Sequence, residues 1–194
     1  MISDPLARVL RRFVLIQRIM CVYFTAAIPI YGGVVLVTRS AHIGVGSMID
    51  TSVLLAIATA AAIIAVASVV HRRWCYSDAY LDRLLGSPMD VRRQATQPRT
   101  GRVDQDLAAN IDALAPHERR FVALFVALQT PLLINLALNE LIALIGFVPA
   151  FLAQDLTMFL PFAVAAIVLN LCMWPAPDRL YARVQARLLA LSTA

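Results

Sequence analysis

Lysine does not occur in this sequence; all seventeen basic residues are arginine. Such usage points to a GC-rich bacterial genome and carries no function by itself. Charge of either sign is scarce, at 15% of residues, where a soluble domain carries about 25%. That shortage excludes an ordinary water-soluble fold. Motifs are missing as well. There is no Walker A sequence, no G-x-G-x-x-G, no G-x-S-x-G and no H-E-x-x-H, so phosphotransfer, dinucleotide binding, acyl transfer and zinc proteolysis lack their usual groups. An enzyme is not the expected reading, and no cofactor is expected. None of the three histidines lies inside an apolar segment, which argues against a membrane haem held by paired imidazoles.

What the chain has in excess is oil-seeking surface: 60% of residues are hydrophobic and the mean hydropathy is +0.74. Four apolar segments, residues 19–37, 51–70, 121–147 and 156–174, come up to the roughly 20 residues that a helix needs to cross a hydrocarbon core. None contains an arginine. Sixteen of the seventeen arginines fall within 1–18, 71–120 or 175–194, and only Arg39 lies in another connection. The positive-inside bias makes those three regions cytoplasmic, with both termini inside. A pI near 9.6 then follows from topology and from attraction to the anionic inner leaflet of the bilayer, so nucleic acid is not an expected partner.

The expected fold is therefore all-α: a polytopic integral membrane protein, a four-transmembrane-helix bundle with amphipathic inner-surface helices, in the bacterial cytoplasmic (inner) membrane. Its parts are a cytoplasmic amphipathic N-terminal segment (1–18), a first transmembrane hairpin (19–70), a cytoplasmic loop with short helices (71–120), a second hairpin (121–174) and a cytoplasmic amphipathic C-terminal helix (175–194). The first segment exceeds the 7–15 residues of a signal-peptide core and no A-x-A-like site follows it, so it reads as a retained anchor. Cys21, Cys75 and Cys172 would all face the reducing side, and no disulfide is expected.

The 71–120 loop, taken alone, is too short for a substantial core. Helical character continues from the second segment until Gly86-Ser87-Pro88, and 89–102 is polar and arginine-rich. Val103, Leu107, Ile111 and Leu114 form one apolar stripe, after which Pro116 and Glu118 suit the start of a new helix. At the other end Pro177 and Asp178 open a helix whose Leu180, Val184 and Leu188 predict a stripe lying along the inner membrane surface. The tetrapeptide Arg-Arg-Phe-Val occurs at 11–14 and again at 119–122, and Asp-Arg-Leu at 82–84 and 178–180, a pattern compatible with two related hairpins.

Candidate chemistry concentrates in the third segment, where Gln129, Asn135, Asn139 and Glu140 interrupt an apolar run. On a helix Asn135 and Asn139 lie about 40° apart, and Gln129 and Glu140 about 20° apart on a neighbouring face. An ionised carboxylate at the bilayer centre costs about 2.5–3.5 kcal/mol, so such a group faces a cavity or a partner. No cation lies inside any segment to pair with Glu140. Pro131 predicts a kink in this segment, and Gly146 and Pro149 divide the apolar run that follows Glu140, a run short enough to be interfacial or re-entrant. Ser52, Ala56 and Ala60, four residues apart in the second segment, form the expected helix-packing face. His71, Cys75, Asp78 and Asp82 share one helical stripe, and with Cys21 and Cys172 at similar depth they are the candidate metal ligands, although no paired spacing fixes a site and no metal is expected.

Three readings follow. The first is a non-enzymatic membrane subunit or scaffold within a homo-oligomer or a complex with other membrane subunits. The second is a small channel or proton-linked transporter using Glu140 with Asn135 and Asn139. The third is a metal-handling membrane protein using His71, Cys75, Cys21 and Cys172.

Overall fold

A computed structural model describes residues 3–40, 50–86 and 105–192. Among them every regular element is a helix. In chain order these are α1 (Asp4–Ser40), α2 (Thr51–Cys75), α3 (Asp78–Gly86), α4 (Gln105–Asp112), α5 (Pro116–Ala127), α6 (Gln129–Ala153), α7 (Leu156–Cys172) and α8 (Pro177–Ser192). Three stretches are long and apolar enough to cross a membrane: Asp4–Ser40, Thr51–Cys75 and Pro116–Ala153. A fourth is added if Leu156–Cys172 and Pro177–Ala186 count as one bent span. The polar 89–102 stretch and Val103 lie outside the described residues.

Local chemistry sets the helix ends. Ser3 Oγ accepts the Leu6 amide at 3.3 Å at the start of α1, and Asp4 in the first turn and Arg39 in the last complement the helix dipole. Helical character does not run unbroken from the second segment to Gly86, as the sequence suggested. It stops at Cys75, and Ser77 Oγ accepts the Tyr80 amide at 3.3 Å to start α3. A serine that can cap offers the backbone an alternative to continuing. Pro116 opens α5, where Glu118 Oε2 accepts the Ala115 amide at 3.1 Å. Pro131 falls in the first turn of α6, where its missing amide costs nothing. The break expected near it comes earlier, at Leu128, whose amide closes α5 on Leu124 O at 3.0 Å. Helix α6 then runs through Gly146 and Pro149 without interruption. Gln154, at φ 54°, ends it, and Asp155 Oδ1 caps α7 by accepting the Thr157 amide at 2.9 Å and its hydroxyl at 2.8 Å.

The chain divides into two compact units. One comprises Met1–Arg18, Trp74–Pro131 and Pro175–Ala194; the other comprises Ile19–Arg73 and Leu132–Trp174. In the first, Leu6, Val9 and Leu10 from α1, Leu81 from α3, Leu107 and Ile111 from α4, Phe121 and Leu124 from α5, and Val184 from α8 share one buried core. The Phe121 ring meets Tyr181 edge to face at 4.9 Å. This corrects two expectations. The 71–120 loop does take part in a sizeable core, because both chain ends and the start of the third segment contribute to it. The apolar stripes of the terminal segments, moreover, pack on protein: Leu6 and Val184 are buried. An amphipathic pattern shows that a face must leave water, not whether lipid or protein receives it. Both Arg-Arg-Phe-Val segments act alike here, with the arginines exposed and Phe13, Val14, Phe121 and Val122 buried.

In the second unit Ile28 and Val35 of α1, Ala61 of α2, Ile142, Ala143 and Ala150 of α6, and Phe159, Ala163 and Ala166 of α7 close one core. Helices α6 and α7 approach so closely that a Cβ added at Gly146 would lie 2.4 Å from Phe162 Cβ and Cγ. That is why a glycine stands there. The expected packing face of α2 is displaced. Ser52, Ala56 and Ala60 are exposed, and with Val53, Ile57 and Ile145 they line a shallow apolar depression. What α2 buries in this unit is Ala61 and Ser68, seven residues apart. Small residues permit close approach, but what selects Ser68 here is a polar neighbour, the Asn135 and Asn139 pair of α6.

Candidate functional site

Asn135 and Asn139 lie one turn apart on α6, and both are fully buried. Ser68 of α2 donates its hydroxyl to Asn139 Oδ1 at 2.6 Å, and its Oγ is also 3.5 Å from Asn135 Oδ1. Asn139 Nδ2 in turn donates to Oδ1 of Asn170, on α7, at 3.0 Å. His71 Nδ1 lies 3.3 Å from Asn135 Oδ1. The result is a continuous polar seam, Asn170, Asn139, Ser68, Asn135 and His71, that joins three otherwise apolar helices. In an apolar surrounding each bond removes a penalty that an unpaired amide would incur.

Glu140 is the next residue along α6 but points elsewhere, since successive helical side chains diverge by about 100°. Its Oε1 accepts the Tyr31 hydroxyl of α1 at 2.5 Å. The Tyr31 ring packs at 5.5 Å on Phe147, which stacks at 5.6 Å on Phe151. The carboxyl thus has one neutral partner and no arginine or histidine partner among the described residues. Along α6 it stands eight residues, about 12 Å, beyond Leu132, where the helix enters this unit, and about 20 Å short of Ala153.

Gln129 stands apart from these groups. It opens α6 within the first unit, and its Nε2 has no hydrogen-bond partner among the described residues. The candidate metal face is not assembled either. No group of three or more His, Cys, Asp or Glu side chains could hold a metal ion among the described residues. The stripe needed one unbroken helix from His71 to Asp82, and the break after Cys75 removes that register. His71 lies against Asn135 instead, and Asp78 pairs with Arg183, which also donates to Tyr76 O at 3.0 Å. Cys21, Cys75 and Cys172 form no disulfide with one another, and the first two are buried.

Family models, curated proteins and solved structures give no match to this chain.

Sequence reasoning found Asn135, Asn139 and Glu140 but missed their partners Ser68, Asn170 and Tyr31. A signal existed for two of them. Ser68 and Asn170 are isolated polar residues inside long apolar runs, both near the arginine-bearing ends of their segments. His71 lies just past the apolar run that ends at Val70, yet it belongs to the same helix, α2.

Proposed function

We propose that this chain is a non-enzymatic integral membrane subunit that works within a homo-oligomer or a larger membrane complex. It crosses the bacterial cytoplasmic membrane four times, with its arginine-bearing segments and both termini inside. The arginine distribution supports the orientation. The observation that carries the assembly is how little of α2 the chain itself covers: 11% of its most apolar stretch is buried, against 56% for Pro116–Ala153. A helix that gives one apolar stripe of at least 100° to its own core places about a quarter of its residues in that stripe. The uncovered faces of α2 carry Leu55, Ile63 and Val66 beside the Ser52, Ala56 and Ala60 stripe, a surface of large and small apolar groups suited to lipid and to a neighbouring helix. Extraction in mild detergent followed by native mass spectrometry tests this. An oligomer or a stoichiometric co-purifying membrane subunit is expected; a lone monomer from every detergent contradicts it.

A second reading, a proton-linked channel or transporter, is favoured by the Tyr31–Glu140 pair. If 132–153 crosses the hydrocarbon core, Glu140 sits within it, where an acid is functional by default. Asn135 and Asn139 are already bonded to one another's partners, so this reading now rests on Glu140 and Tyr31 alone. Proton flux into liposomes should fall in Glu140→Gln and fall less in Tyr31→Phe. Flux unchanged by Glu140→Gln rejects it.

A further inference from the structure

Glu140 is the one acid in α6, and half of its carboxylate is unused. Its Oε1 accepts the Tyr31 hydroxyl, while its Oε2 has no partner among the described residues and remains accessible at the surface of this unit. A neutral donor satisfies one oxygen and leaves the charge uncancelled. The chain's own spans hold nothing that could cancel it: there is no lysine, and no arginine lies between Arg18 and Arg39, between Arg39 and Arg72, or between Arg120 and Arg179. A second copy in the same orientation does no better. Arg39 is eight residues past Tyr31, about 12 Å along α1. Arg72 follows His71, which is level with Asn135, about 7.5 Å before Glu140 along α6, and long basic side chains reach out of hydrocarbon rather than into it.

The face beside Glu140 has the pattern of a helix-packing surface. Ile134, Ala137, Leu141, Leu144 and Val148 are exposed at alternating steps of three and four residues, the a and d spacing by which helices pack side by side. Glu140 immediately precedes Leu141 and so takes the flanking position where charges choose partners in such pairs. At the opposite margin of the stripe, Ile145 joins Ser52, Ala56 and Ala60 of α2 around the apolar depression, where small residues admit close approach. Lipid tails suit the leucines of this face but offer nothing to a carboxylate, which inside a bilayer pairs with a cation or faces water. We infer that the outer face of α6 docks a transmembrane helix of a different protein, one whose apolar span carries a lysine or arginine at the depth of Glu140. Tyr31 is then a positioning residue: by holding Oε1 it leaves Oε2 facing the incoming cation. This rests on the chain being a membrane subunit and names the chemistry of its partner, and it claims for pairing the same carboxylate that the transporter reading would use for protons.

The test uses the full-length chain in its native cells, with exposed Leu144 replaced by the photo-cross-linker p-benzoylphenylalanine. Cross-linked peptides are sequenced, and the same preparation is weighed by native mass spectrometry. The expected product joins α6 to a membrane helix of another protein with a lysine or arginine inside its apolar span. Its yield should fall about tenfold or more in Glu140→Gln, whose amide oxygen still accepts the Tyr31 hydroxyl and so keeps the local fold. Glu140→Asp should retain part of it. Glu140→Arg should abolish the product, and changing the basic residue of the captured helix to glutamate should restore it. Cross-links only to lipid, to another copy of this chain or to a helix without a basic residue overturn the inference, as does a yield that Glu140→Gln leaves unchanged. In those cases an oligomer or co-purifying subunit still seen by mass spectrometry leaves the subunit reading standing, whereas a lone monomer removes both.

Discussion

In the unit built from 1–18, 74–131 and 175–194, Phe121, Leu124 and Leu81 are inside, and Arg11, Arg12, Arg119 and Arg120 are outside. In the unit built from 19–73 and 132–174 the order is turned round: Leu55, Ile63, Val66 and Leu171 are exposed while Ser68, Asn135, Asn139 and Asn170 are buried. Fourteen of the seventeen arginines belong to the first unit. If the apolar helices of the second unit cross a bilayer, one chain follows two solvent rules. Where water is the solvent, burial of apolar area drives packing. Where lipid is the solvent that drive vanishes, and close approach at Gly146 plus a few hydrogen bonds must hold the helices. Energies should therefore be large and apolar in one unit and small and polar in the other.

The greatest expected effect is on the first unit. Phe121→Ala removes a fully buried ring and its edge contact with Tyr181, at a cost of about 3–5 kcal/mol. Hydrogen exchange should accelerate across α3 to α5 before it does in α7. Next comes Gly146→Ala in the second unit. A methyl group pressed 2.4 Å from Phe162 Cβ and Cγ forces α6 and α7 apart, at about 1–3 kcal/mol by thermal unfolding in detergent. The double variant with Phe162→Ala should recover part of that loss. Third, Ser68→Ala strips Asn139 Oδ1 of its donor and should cost about 0.6–1.7 kcal/mol. A loss larger than that of Phe121→Ala would erase the distinction between the units.

Two weaker effects sharpen it. Arg183 and Asp78 are each nearly half exposed, at 45% and 48%, so removing the pair should cost less than about 1 kcal/mol. That small loss should fade further in high salt. The Asp155 carboxyl at the α6–α7 turn is held below its ordinary value of 3.8, first by the Thr157 hydroxyl, then by the Thr157 amide. Its folded pKa lies under its unfolded one, so its contribution is fully present above pH 3.8 and is lost as pH falls through the lower folded value. Asp155→Asn should flatten that acid limb of the stability profile and leave the neutral region nearly unchanged.

Much of this architecture could be read from the residues, and the failures have physical causes. The helical character, with helices long and apolar enough to cross a membrane, followed from the long apolar runs, and the starts at Pro116 and Pro177 from proline chemistry. The core of the first unit was hidden because its parts, such as Leu6, Ile111, Phe121 and Val184, come from five helices distant in sequence, and periodicity reports only that a face is covered. Asn135 and Asn139 were visible as anomalies in a greasy run. Their partners were not, because Ser68 and Asn170 are each a single polar residue whose meaning appears only when α2 and α7 flank α6. The α2 stripe shows the same limit: Ser52, Ala56 and Ala60 have the right spacing, yet the face that packs is the one carrying Ser68.

Single cysteines read by an impermeant maleimide on intact cells test the membrane topology most directly. The positions are Asp50→Cys, before α2, and Ala182→Cys, on α8, both exposed, in a background with Cys21, Cys75 and Cys172 replaced by alanine. The account predicts labelling at position 50 on intact cells and at position 182 only after permeabilisation. Labelling at position 182 from outside, or equal labelling of both without permeabilisation, contradicts it.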